Sequence, residues 1–156
     1  MSLQQLKTIR KQRMERTYVE LQASKEQLKY CEENVYQGKL KLEEFHQWRL
    51  EHQETLFTDL QTDCFSPNDL QNYMAKLVQF KEEEQALSEE IPRLESALEA
   101  AKNRLSQVRR QLVDINRDLE KANEFIEMEQ EELVLAENKT EENTVDELAN
   151  FGAAKF

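Results

Sequence analysis

The sequence predicts an all-α protein built as a long two-helix antiparallel coiled-coil hairpin. Three observations predict it. From Leu70 one heptad phase holds through Leu77, Glu84, Ile91, Leu98, Leu105, Leu112, Leu119, Ile126 and Leu133. Three residues after each come Tyr73, Phe80, Leu87, Leu94, Ala101, Val108, Ile115, Ala122, Glu129 and Ala136. These are a and d positions, interrupted only at Glu84 and Glu129, and such a stripe must be covered by a partner helix. The second observation is an upstream heptad that supplies that partner: Met14, Leu21, Leu28, Val35, Leu42, Arg49 and Leu56 at a. Its d residues are Thr17, Ser24, Cys31, Gly38, Phe45, His52 and Asp59. The third is the scarcity of chain breakers. Two glycines and two prolines in 156 residues are too few for a sheet protein.

Composition narrows the function. Apolar residues make up 38% and are confined to the stripes, so the chain buries a thin seam in place of a globular core. A net charge of −11 argues against nucleic acid as a partner. No apolar run approaches the roughly 20 residues of a membrane span, and the first residues carry no signal-peptide core. The expectation is a cytoplasmic protein without direct membrane insertion. Cys31 and Cys64 on one helix would stand ~50 Å apart at ~1.5 Å per residue, which excludes an internal disulfide.

The first helix is placed at residues 3–62. Its opening, residues 1–16, is basic, with Lys7, Arg10, Lys11, Arg13 and Arg16 against Glu15, and Leu3, Leu6 and Ile9 form an apolar edge. Two readings of the cations stand. They meet acidic groups of a partner, or they pair with the acidic end of the facing helix. Residues 63–66 form the loop. In Ser66-Pro67-Asn68-Asp69, Ser suits the N-cap, Pro the N1 position and Asp the positive helix end. So short a connection makes the helices antiparallel, and Pro67 argues against the rival, one continuous helix in a domain-swapped dimer.

The second helix is placed at 67–138. Folding near residue 64 sets Leu42 against Leu87, Val35 against Leu94, Gly38 against Ile91, Cys31 against Leu98 and Thr17 against Leu112. Small residues of the first stripe thus meet large ones of the second. Phe45 faces Glu84 and Arg49 faces Phe80, which brings Arg49 and Glu84 within reach of each other. This is either a polar layer that sets register or a place where the coil opens to a partner. Pro92, nearly opposite Gly38, suggests a bend. Residues 1–138 therefore form the hairpin, and 139–156, with no period and an acidic composition, form a flexible tail whose Val145, Leu148, Phe151 and Phe156 are passive or a weak docking motif.

No constellation of catalysis is present: no phosphate loop, no CxxC, no nucleophile–base grouping. His46 and His52 fall on different helix faces, so no metal site is expected, and a two-helix seam has no cavity to exclude water. No enzyme and no cofactor are expected. Apolar residues off the seam remain: Trp48, Leu50, Phe57, Leu60, Phe65, Met74 and Val78. Clustered apolar exposure marks a protein contact, with Trp a common anchor. For Trp48 the alternative is an edge cap of the seam over Lys81. Leu60 and Met74 would then close the tip.

Phe45-His46-Gln47-Trp48-Arg49-Leu50, continuing to Leu56-Phe57, the short loop and Asp69-Leu70, resembles the YscO proteins of bacterial type III secretion. The basic opening and glutamate-rich end are similar to that family too. The resemblance spans about residues 5 to 135. YscO proteins are similar to flagellar FliJ and to the coiled-coil part of the gamma subunit of rotary ATP synthases. The resemblance implies a non-enzymatic stalk and coupling factor, cytoplasmic and peripheral to the inner-membrane secretion apparatus. It implies three partners: the hexameric secretion ATPase, the cytoplasmic domain of the export gate, and translocator-class chaperones. By analogy Lys7, Arg10, Lys11, Arg13 and Arg16 would meet the ATPase. The candidates for gate or chaperone binding are Phe45, Trp48, Arg49, Leu50, Phe57, Tyr73, Val78 and Phe80. The competing expectations are a chaperone escort and a generic coiled-coil adaptor, neither with an ATPase role.

Overall fold

The computed structural model describes residues 2–62 and 64–154, with side chains to Gly152. Expectations for Asp63 in the loop and Phe156 in the tail lie outside the described residues. Two helices form the fold: α1, Leu3–Thr62, and α2, Pro67–Ala154. Both open with a reciprocal cap that satisfies otherwise unpaired N–H groups. At α2 the Asp69 N–H donates to Ser66 Oγ at 3.2 Å, and the Ser66 N–H donates to Asp69 Oδ2 at 3.0 Å. At α1 the Gln5 N–H donates to Ser2 Oγ at 3.1 Å, and the Ser2 N–H donates to Gln5 Oε1 at 3.0 Å.

By its contacts the chain divides into two units, Leu21–Val108 and Met1–Glu20 with Arg109–Phe156. In the first, an ion pair joins Lys39 to Glu95 at 3.3 Å and the Phe57 and Tyr73 rings are 6.4 Å apart. One helix number rises as the other falls, so the pair is antiparallel. In the second unit, Arg10 meets Asp118, and Leu3 shares a groove with Leu133. The direction is the same.

Burial follows the heptads. Every a and d residue of α1 from Met14 to Leu56 is buried or half-buried, as is every one of α2 from Tyr73 to Ile126. Val108 and Ala122 are fully enclosed, with 0% of their surface exposed. Thr17 is buried on the same stripe, and its hydroxyl donates to the Arg13 carbonyl at 2.8 Å. Buried hydroxyls need such partners. The stripe fails at Asp59 and Leu70 beside the turn and beyond Ile126, where only the first residues of α1 approach α2.

Gly38 has an ordinary helical backbone, so its role is steric. A Cβ added there would stand 2.6 Å from Leu94 Cδ1. The sequence sets Ile91 against Gly38; the structure brings Leu94 onto it. Leu94 is the next seam residue along, and its branched end reaches into the gap that a missing side chain leaves. α2 runs through Pro92 as continuous helix.

The second difference is the end of α2. The sequence ends this helix at 138 and the structure continues it to Ala154. Losing the heptad removes a partner for the helix but not its propensity. Residues 137–149 include Glu137, Glu141, Glu142 and Glu147, and no Gly or Pro interrupts the chain from Glu137 to Phe151.

The fit at Gly38 makes a test. Gly38→Leu should destabilise the hairpin by about 2 kcal/mol by overfilling the seam. Leu94→Ala should cost about 2 kcal/mol through the cavity it leaves. The double variant should recover about 1 kcal/mol relative to the sum of the two, because the sites share one volume. Urea unfolding followed by circular dichroism measures all three.

Candidate protein-interaction surfaces

The eight residues of the turn-proximal half separate by heptad position. Phe45, Tyr73 and Phe80 sit at d and Arg49 at a, and all four are buried or half-buried, Phe80 at 7% exposure. Trp48, Leu50, Phe57 and Val78 sit off the a and d positions and keep 45 to 56% of their surface exposed. The two sets touch at Phe57, whose ring faces Tyr73, and at Trp48. The Trp48 ring stacks on His52, with centroids 4.8 Å apart and planes at 19°. It meets the Phe80 ring edge-on at 5.1 Å and lies 5.6 Å from Phe45. Such pairs contribute about 0.5–1.5 kcal/mol each beyond buried area. Trp48 therefore does cap the seam, over Phe80 and His52, and still presents nearly half its surface.

Below this aromatic group lies the polar layer. Arg49 Nη1 is 2.7 Å from Glu84 Oε2, with only 20% and 22% of the two side chains exposed. His46 Nδ1 is 2.7 Å from Glu84 Oε1. An ionised carboxylate only accepts, so His46 carries its proton on Nδ1 and donates. Arg49 Nη2, 3.4 Å from the same nitrogen, then faces a donor and makes no hydrogen bond. Arg49 Nε is buried without a hydrogen-bond partner. The carboxylate thus gathers two groups of α1, and each constrains the register of the two helices.

At the turn, Leu56, Leu60, Phe65 and Tyr73, with Asp59 and Lys76, line an open groove of about 370 Å³. Phe65 is 53% exposed at its rim, and Met74 stays exposed.

The five cations near the start of α1 do not form one patch. Counting back seven from Met14 and Thr17 places Lys7 at a and Arg10 at d, and both are half-buried. Arg10 Nη1 donates to the backbone carbonyl of Asp118 at 2.7 Å. Lys11 at e and Arg13 at g lie on the two flanks, Arg16 at c lies on the outward side, and all three are exposed. Among the described residues, none of Lys7, Lys11, Arg13 and Arg16 has an ion-pair partner on α2. Pairing with the facing helix therefore accounts for Arg10 alone, and that through a carbonyl.

Two features escape the sequence reading. The seam positions of Lys7 and Arg10 follow from extending the heptad phase one repeat upstream. The His46–Glu84 contact needs the register, since His46 is an e residue that meets an a residue of the other helix. Among the described residues no cluster of three metal-binding side chains occurs, and no helix is long and apolar enough to cross a membrane.

The family model described as "Type III secretion protein YscO" matches residues 3–150. Neither the curated proteins nor the solved structures yield a match.

The polar layer makes the second test. Glu84→Gln leaves Arg49 and His46 facing a neutral amide and should cost about 1–2 kcal/mol in urea unfolding. Arg49→Met combined with Glu84→Leu should restore most of that stability, since an apolar pair of similar volume needs no compensation.

Proposed function

Since the chain belongs to the YscO family of type III secretion proteins, we propose that it is a non-enzymatic stalk of the secretion apparatus, binding the hexameric ATPase through the exposed cations of α1. The observation that supports this most is the state of Lys11, Arg13 and Arg16. They are exposed and without α2 carboxylate partners in a chain whose net charge is −11. Three exposed cations on one helix, without ion-pair partners on α2 among the described residues, suit an acidic surface on another protein. Lys7 and Arg10 serve differently. They occupy seam positions, and Arg10 ties the start of α1 to α2.

The outward-facing residues of the turn-proximal half supply a second contact in the same reading. Leu50, Phe57 and Val78, with the free half of Trp48, offer apolar surface that the seam does not use. They are the residues through which the export gate's cytoplasmic domain or a translocator-class chaperone would dock. Phe45, Arg49, Tyr73 and Phe80 support them from beneath, apart from whatever surface Phe45 and Tyr73 keep. In this reading the protein works in the cytoplasm, peripheral to the inner-membrane apparatus. Chaperone escort without an ATPase role is favoured only if the apolar surface alone binds.

Reversing Lys11, Arg13 and Arg16 to Glu should weaken binding to the purified hexameric ATPase at least tenfold while helicity and chaperone binding persist. Binding by the unmodified protein should also weaken as salt rises, because exposed charges are screened. Leu50→Ala with Phe57→Ala should weaken gate or chaperone binding and leave ATPase binding intact. ATPase affinity unchanged by the charge reversal would exclude the stalk contact and leave the escort reading.

A further inference from the structure

α1 ends before α2 does. Ser2, Leu3 and Gln4 line one groove with Ile126, Glu129, Gln130 and Leu133, so this is where cover by α1 stops. The change is abrupt. Ile126 is 8% exposed, and Leu133, the next a residue, is 58% exposed. The face itself does not stop. At 3.6 residues per turn, Leu133, Thr140, Thr144 and Leu148 remain within about 80° of arc around the line of Ile126. The Thr140 and Thr144 hydroxyls donate to the Ala136 and Thr140 carbonyls at 2.9 Å, so covering them leaves no donor unmet. Val134 and Val145, both exposed, widen one flank.

The charge on this segment says what would cover it. Residues 127–154 carry Glu127, Glu129, Glu131, Glu132, Glu137, Glu141, Glu142, Asp146 and Glu147 against Lys139 alone. Glu137 stands on this face, about 20° from the line of Ile126, and Glu129 flanks it at about 60°, so a covering element must bring cations along its edges to meet them. A second copy laid over the same segment would bring the same excess of carboxylates. A face of i, i+3 and i, i+4 spacing on one helix is matched by another helix.

We propose that the outer part of α2, residues 127–154, is a docking face for a basic amphipathic helix of another protein. That helix continues the seam where α1 leaves off, its apolar side on Leu133 and Leu148 and its cations on Glu129 and Glu137. The inference goes beyond the stalk reading and does not rest on it, since it uses neither the α1 cations nor the turn-proximal aromatic residues.

The test uses the full chain and two synthetic 21-residue fluorescent peptides. Both carry Leu at a and d; one has Lys and the other Glu at the flanking positions. Fluorescence anisotropy should show binding of the Lys peptide and not of the Glu peptide. Leu133→Ser with Leu148→Ser should weaken it at least tenfold, and Glu129→Gln with Glu137→Gln should do likewise. Both pairs lie on solvent-exposed surface, and circular dichroism should be unchanged. Equal binding by the Leu-to-Ser variant would reduce the attraction to diffuse charge and overturn the proposal. So would equal binding of both peptides. Concentration-dependent dimers of the unmodified protein in light scattering, abolished by Leu133→Ser with Leu148→Ser, would assign the face to a second copy and overturn it too.

Discussion

Everything in this fold depends on one apolar stripe per helix being covered by the other. Neither stripe has a second layer behind it, so each a or d residue is buried by its counterparts across the seam or by nothing. The consequence is visible in the burial. Val108 and Ala122 are closed off completely, yet Leu133, of the same heptad phase, is mostly open at the groove where it meets only the start of α1. Side-chain size is matched across the seam for the same reason. The absence of a side chain at Gly38 is filled by Leu94, and the small Thr17 and Ser24 are buried where larger residues would not be needed.

The polar layer shows how the seam tolerates a charge. Glu84 interrupts the α2 stripe, and Arg49 the α1 stripe, at one level. Each alone would be a half-buried charge without compensation; together, with His46, they form a set that fits one alignment of the helices. Its net contribution to stability is small, because desolvation offsets much of the attraction. Its effect on alignment is larger, since sliding either helix by one heptad would separate the charges. The aromatic group of Phe45, Trp48, His52 and Phe80 sits directly beside it and covers the same level with rings.

Much of this was legible in the residues. Heptad phase identifies the seam residues from Met14 to Leu56 and from Tyr73 to Ile126, because burial in a two-helix coil follows position in the repeat wherever a partner stands opposite. Ser66 and Asp69 mark the start of α2 by chemistry that is local in sequence. What was not legible depends on the register to within one residue or on side-chain reach. Leu94 replacing Ile91 at Gly38 is one case. His46 joining Glu84 from an e position is another. The cations of α1 read as one basic cluster in sequence, but helical geometry deals Lys7 and Arg10 to the seam, Lys11 and Arg13 to the flanks and Arg16 to the outward side. The helical state of residues 139–154 is not legible in the heptad pattern, because periodicity reports a partner and not the helix itself.

The single connection between Thr62 and Pro67 orders the contacts in time as well as in space. Phe57 and Tyr73 enclose only a short stretch of chain, while Arg10 and Asp118 enclose most of it. The entropy lost in closing a loop rises with its length, and non-local contacts form late. Folding therefore zips outward from the connection, with the Trp48 rings locking early and the start of α1 seating last. Transient opening runs the other way, so the stretch bearing Lys11, Arg13 and Arg16 is the first to be released.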